Sequence, residues 1–144
     1  MHSPREARFE LRNDLSELAR ARKITREFIG DALEARDLNR VVLAIDEALA
    51  NIMEHAYPED PELRIQLEMR HEQDRFVFVL EDEGEFFDPT RAPLPDLKEH
   101  AAQKRDGGLG IYLFTTLLET THEVRPSGGN RLRLEKNLSG ENAQ

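Results

Sequence analysis

Asp46-Glu47-Ala48-Leu49-Ala50-Asn51-Ile52-Met53-Glu54-His55-Ala56-Tyr57 is the stretch around which the chain is organised. Val42, Ile45, Leu49, Ile52 and Ala56 recur at spacings of three and four, the mark of a helix with one buried face. Glu47 and Asn51 are four apart, so they lie one above the other on one side of that helix. A carboxylate and a carboxamide a turn apart offer the oxygen ligands that a hard cation such as magnesium takes. The same pair also suits a plain solvated helix surface. Pro58 ends the helix, because a proline disfavours helical geometry at the residue before it, Tyr57.

Upstream, Ala7, Phe9 and Leu11 alternate with Arg8, Glu10 and Arg12, the two-residue period of a half-buried strand. Asp14 and Glu17 have the spacing of a helix cap and its reciprocal partner. Leu15, Leu18, Ala21, Ile24 or Thr25, Phe28 and Ile29 mark an amphipathic helix. Its outer face carries Arg20, Arg22, Lys23 and Arg26, which reads as a solvated surface. Downstream, Leu63, Ile65, Leu67 and Met69 alternate with polar residues as a strand with one dry face. His71-Glu72-Gln73-Asp74 reads as a turn, and residues 76–80 as a more central strand of the same hairpin. A closing hairpin runs through 121–125, the turn Ser127-Gly128-Gly129-Asn130 and the return strand 131–136. With a further helix before that hairpin, the order predicts an α+β two-layer sandwich. Its sheet is mixed but mainly antiparallel, with the helices packed on one face.

Length and composition bound the function. The 144 residues suit one domain with a hydrophobic core, and 38% hydrophobic against 34% charged residues is ordinary for a soluble protein. A net charge of -9 with no basic stripe argues against direct nucleic-acid binding. The lack of cysteine removes disulfides, thiolate chemistry and cysteine-based zinc sites. No apolar run nears 18 residues and no signal-peptide pattern opens the chain, so a cytoplasmic protein without a membrane partner is expected.

Two glycine-bearing stretches bring ligand chemistry. Asp82-Glu83-Gly84-Glu85-Phe86-Phe87 follows the central strand. A glycine there permits a sharp turn or close approach of a ligand. The Asp82 carboxylate can accept a hydrogen bond from an exocyclic amine such as that of adenine. An acid-rich turn has the same composition. Residues 90–106 form a polar connection that is long for a passive link. Its Lys104 and Arg105 can neutralise phosphate oxygens, though a solvated loop carries the same residues. Asp106-Gly107-Gly108-Leu109-Gly110-Ile111 then leads into a helix marked by Leu109, Leu113 and Leu117. Glycines at a helix N-terminus leave N–H groups open to a phosphate, and a packing or turn role is the plainer alternative. The spacing is neither that of the lysine-containing P-loop nor that of the dinucleotide fingerprint.

With these motifs in this order, residues 5–137 resemble the RsbW-like anti-sigma-factor serine/threonine kinases. These belong to the ATPase superfamily of Hsp90, gyrase and histidine kinases, known as GHKL. The resemblance implies a Bergerat-type ATP-binding fold, as one domain over 1–144 with an ATP lid at about 89–107. It implies ATP and Mg2+ as cofactors. Glu47 corresponds to the general base and Asn51 to the magnesium ligand. Asp82 and Gly84 form the adenine box, while Gly107, Gly108, Leu109 and Gly110 clasp phosphates. Phe86 stands where many members have another glycine, so the first glycine box is partial. Asn130 stands where threonine is common.

The implied function is phosphorylation of a small STAS-domain antagonist, an anti-anti-sigma-like protein, by a homodimeric anti-sigma regulator that also binds a sigma factor. No room precedes the fold for the dimerising helical domain of two-component histidine kinases, so the expected acceptor is a serine or threonine of a partner. The other reading is a non-catalytic, ATP-responsive protein-binding module of the same fold in a partner-switching pathway.

Overall fold

A computed structural model describes residues 5–56, 62–83, 118–125 and 128–138. Strand β1 (Arg5–Arg12) opens the chain and is followed by helices α1 (Glu17–Ile29) and α2 (Ala35–Asn51). Strands β2 (Arg64–His71), β3 (Arg75–Asp82), β4 (Glu119–Val124) and β5 (Asn130–Asn137) complete the described elements. They form one sheet in the order β1-β2-β3-β5-β4, with every neighbouring pair antiparallel. The mixed sheet expected from sequence thus becomes, among the described strands, an antiparallel one. The closing hairpin lays β5 between β3 and β4, which keeps β3 and β4 from pairing directly.

The two-residue period of the strands decides which face is dry. Ile65, Leu67 and Met69 of β2, Phe76, Phe78 and Leu80 of β3, and Leu132 and Leu134 of β5 share one face. They are buried with Ala21, Phe28 and Ile29 of α1 and with Val41, Ala44, Ile45, Ala48 and Leu49 of α2. Phe28 meets Phe76 edge-on, with ring centroids 6.2 Å apart. Helices on one face of a sheet are the α+β arrangement anticipated from the element order. Among the described residues no helix is long and apolar enough to cross a membrane.

The other sheet face is covered by charge. Val77 lies between Arg70 and Glu135 on the neighbouring strands, and Val79 between Glu68 and Arg133. Arg70 pairs with Glu68 at 2.7 Å and Arg133 with Glu135 at 2.9 Å. Pairs at a sheet surface, even part-buried ones such as these, are each worth only about 1 kcal/mol. Arginine stems, however, shield apolar surface, and both valines are buried beneath them.

Several local expectations change. Helix α1 starts at Glu17, so Leu15 precedes it and is 58% exposed instead of lining the core. Asp14 and Glu17 do not form the expected reciprocal cap. Asp14 Oδ1 accepts from the Ser16 N–H at 2.9 Å, and Glu17 Oε2 reaches past it to the Arg12 N–H at 3.0 Å. Those backbone N–H groups hold both carboxyls below their ordinary values. The arginines of α1 are more than a solvated face: Arg20 donates to the Glu10 carbonyl at 3.1 Å, and Arg22 pairs with Asp46 of α2 at 2.5 Å. His71 ends β2 instead of opening a turn, and its ring stacks on Phe76 at 4.1 Å. Strand β4 begins two residues earlier than its sequence pattern suggests, and Asn130 opens β5 instead of closing the turn.

Candidate active site

Two ends of secondary structure build the site. On the helix side, the apolar stripe of α2 carries Asn51 into its final position, where it is only 2% exposed. The chain then continues as a π-helical turn, Ile52–Ala56, where a single α-helix was expected. Ile52 and Met53, in this turn, are both buried. Asn51 Oδ1 is buried and has no hydrogen-bond partner among the described residues. Leaving such an acceptor unsatisfied costs about 1–3 kcal/mol. Glu47, half-buried, sits one turn earlier on the same side of α2. Beside it, the Arg22–Asp46 ion pair ties α1 to α2.

The Asn51 oxygen fits magnesium. It is a hard, neutral donor with unused acceptor capacity, and magnesium is commonly held by one or two protein oxygens together with substrate phosphates. Among the described residues no group of three or more acidic or histidine side chains gathers into a self-sufficient metal cage.

On the sheet side, the alternation that buries Phe76, Phe78 and Leu80 brings Asp82 to the same face at the end of β3. Asp82 is 2% exposed, and a buried carboxylate must be hydrogen-bonded to remain charged. Asn130, its cross-strand partner on β5, is 4% exposed and donates from Nδ2 to Asp82 Oδ1 at 3.0 Å. The Asn130 Oδ1 in turn meets His122 Nε2 of β4 at 2.9 Å. Arg125 donates to the Asp82 carbonyl at 3.2 Å and approaches Glu81 at 3.6 Å.

The β4–β5 turn presses onto this end of β3. Gly128 N–H donates to the Arg125 carbonyl at 2.9 Å, and Arg125 N–H to the Gly129 carbonyl at 3.1 Å. Gly129 has φ +90°, and a Cβ there would lie 2.0 Å from the Asp82 carbonyl oxygen and 2.7 Å from Glu83 Cα. Only glycine combines that backbone conformation with that approach.

Of the residues singled out from sequence, the structure brings Asp82 and Asn130 into direct contact and sets Glu47 and Asn51 on one helix face. Gly84, Lys104, Arg105, Gly107, Gly108, Leu109 and Gly110, with the rest of the lid and the helix after it, lie outside the described residues. Sequence reading passed over His122, Arg125 and the packing role of Gly129. Asn130 shares the parity of Leu132 and Leu134, which was a usable sign that it points inward. Nothing local marks His122, because its contact depends on how β4 is registered on β5.

Comparison with known proteins follows the same outline. The profile of the family described as the histidine kinase-like ATPase domain matches residues 11–136, a span that takes in Glu47, Asn51, Asp82 and Asn130. The serine-protein kinase RsbW of Bacillus subtilis (strain 168) is 30% identical over 109 residues, covering 73% of this chain and 68% of the relative. The serine/threonine-protein kinase BtrW of Bordetella bronchiseptica is 30% identical over 111 residues, 77% of this chain and 78% of the relative. An RsbW from Staphylococcus epidermidis is 32% identical over 97 residues, 64% of this chain and 61% of the relative. An antiparallel sheet under two helices, with buried Asn51 and Asp82 at element ends, is thus matched by sequence kinship over most of its length: the chain belongs to the histidine kinase-like ATPase domain family, on its RsbW-like side.

Proposed function

We propose that this chain binds ATP with magnesium and transfers the γ-phosphoryl group to a serine or threonine hydroxyl of a protein partner. The observation that carries the reading is Asn51 Oδ1, buried without a hydrogen-bond partner among the described residues, one helical turn beyond Glu47. An acceptor oxygen kept at that cost suits a cation ligand. Magnesium, when bound, neutralises phosphate charge. Asp82 selects the base by accepting from the exocyclic amine of adenine. Gly84 gives the ligand close approach there, and Gly107, Gly108, Leu109 and Gly110 offer backbone N–H groups to the phosphates, with Lys104 and Arg105 closing over them. Phosphoryl transfer asks the protein mainly to position the reactants and stabilise charge. Glu47 orients the acceptor hydroxyl and takes its proton as the new phosphate ester forms and ADP leaves.

The partner is a small STAS-domain protein of the anti-anti-sigma type, and a sigma factor competes for the same regulator. The kinase part of this reading is supported by the names of the relatives, serine- and serine/threonine-protein kinases; the partners rest on the resemblance of the motifs alone. The working unit is a cytoplasmic homodimer of single domains. An acidic chain without a basic stripe would act on transcription through protein contacts, not by reading DNA.

Radiolabelled ATP with candidate STAS proteins tests the reaction. Covalent label on the partner is expected with the wild type. Glu47→Gln should lower transfer by about 10²-fold or more while leaving ATP affinity within a few-fold. Equal transfer by the two proteins would remove the base role from Glu47. A complex that responds to ATP without any label would replace the kinase with a nucleotide-controlled binding module.

A further inference from the structure

Resting on the nucleotide reading above, we propose that His122 is a positioning residue for base selection, acting through Asn130 on Asp82. Three side chains on three adjacent strands form one line: His122 Nε2 to Asn130 Oδ1 at 2.9 Å, then Asn130 Nδ2 to Asp82 Oδ1 at 3.0 Å. All three lie on the core-facing side of the sheet, at the end where the apolar rows of β3 and β5 give way to polar residues.

The polarity of this line follows from its last member. An ionised carboxylate only accepts hydrogen bonds, so the Asn130 amide must present its NH2 group to Asp82. Its carbonyl oxygen then faces His122, and His122 must donate from Nε2. Both the neutral tautomer carrying a proton on Nε2 and the imidazolium do so. A carboxamide can turn over at little steric cost, because its oxygen and nitrogen are nearly the same size. His122 removes that freedom. With an acceptor in its place, Asn130 would be pulled round, its oxygen would face the Asp82 carboxylate, and Asp82 would lose the Asn130 hydrogen bond in a buried setting. The carboxylate that accepts from adenine would then shift. His122 thus fixes which way the base-recognition carboxylate points, without touching the ligand.

Two substitutions of similar shape separate polarity from packing. His122→Gln places an amide donor close to the Nε2 position; His122→Glu places only acceptors there. Titrations with ATP and with GTP, in magnesium, give the affinity ratio that reports base selection. The glutamine variant should keep ATP affinity within about threefold of wild type and preserve the preference for ATP. The glutamate variant should lose about tenfold or more in ATP affinity and most of that preference. His122→Ala, which merely removes the donor, should fall between them and serves if the glutamate variant does not fold. A purely structural histidine would lower the melting temperature in all three without moving the ATP-to-GTP ratio, and that result overturns the relay. A wild type that takes no adenine nucleotide overturns the function reading and the relay together. A wild type that prefers ATP while the Glu and Ala variants match it in the ratio overturns the relay alone.

Discussion

The two halves of the site solve the problem of a buried polar group in opposite ways. On the sheet side, Asp82 is held by Asn130, Asn130 meets His122, and the Gly128–Gly129 turn lies against the Asp82 backbone. On the helix side, the equally buried Asn51 ends α2 with an oxygen that has no hydrogen-bond partner among the described residues. A satisfied network is rigid and adds stability, whereas an unsatisfied acceptor costs stability and holds capacity for something else. On the proposed function, the base side is built before any ligand arrives and the cation side is completed by one. The strong prediction is that substitutions on the two sides change stability in opposite directions.

Gly129→Ala should have the largest effect. It forces a side chain into a positive-φ position and onto the Asp82 carbonyl, and we expect a loss of about 3 kcal/mol in urea unfolding. Gly128 has φ +95° but open space around a Cβ, so Gly128→Ala should cost only about 1 kcal/mol. Equal losses at the two positions would mean that the turn does not brace Asp82.

Next comes Asn51→Leu, which keeps the shape and removes the orphaned acceptor. Its stability should stay level or rise by about 1 kcal/mol, while magnesium-dependent ATP affinity disappears. A clear loss of stability would show that the Asn51 oxygen is already satisfied, and the contrast between the two sides would collapse.

The smallest effect belongs to a carboxylate away from both. Glu17 is held below its ordinary value first by the Arg12 N–H and then by the charges of Arg20 and Arg12, against the cost of burial. A depressed carboxyl contributes stability above the ordinary carboxylate range and loses it as pH falls through the folded-state value. Glu17→Gln can still accept from Arg12, so at neutral pH it should cost about 1 kcal/mol. That gap should close on acidification, as followed by chemical unfolding from neutral pH downward. A gap that does not vary with pH would contradict the ionic part of the contact.

The sequence carried the fold where periodicity was long and clean. The alternation of Ile65, Leu67 and Met69, and the run from Phe76 to Leu80, specify strands and their dry face because burial on one face permits only one register. It failed at the start of α1, where a spacing rule cannot tell whether Glu17 reaches Asp14 or Arg12. Asn51 was recognisable from its place one turn past Glu47, but its lack of a partner is a property of the packed interior. The π-helical turn after it was equally hidden, since a one-residue change in winding leaves no mark on an apolar pattern. His122 was the hardest to find, because three strands must assemble in register before it meets Asn130.

Calorimetric titration of the wild-type protein with ATP, in saturating magnesium and again in a chelator, tests the central claim most directly. A prebuilt base side and a cation-dependent helix side should give saturable binding in magnesium that weakens by about tenfold or more when the cation is withdrawn. No binding of ATP in saturating magnesium, by folded protein, would contradict the account.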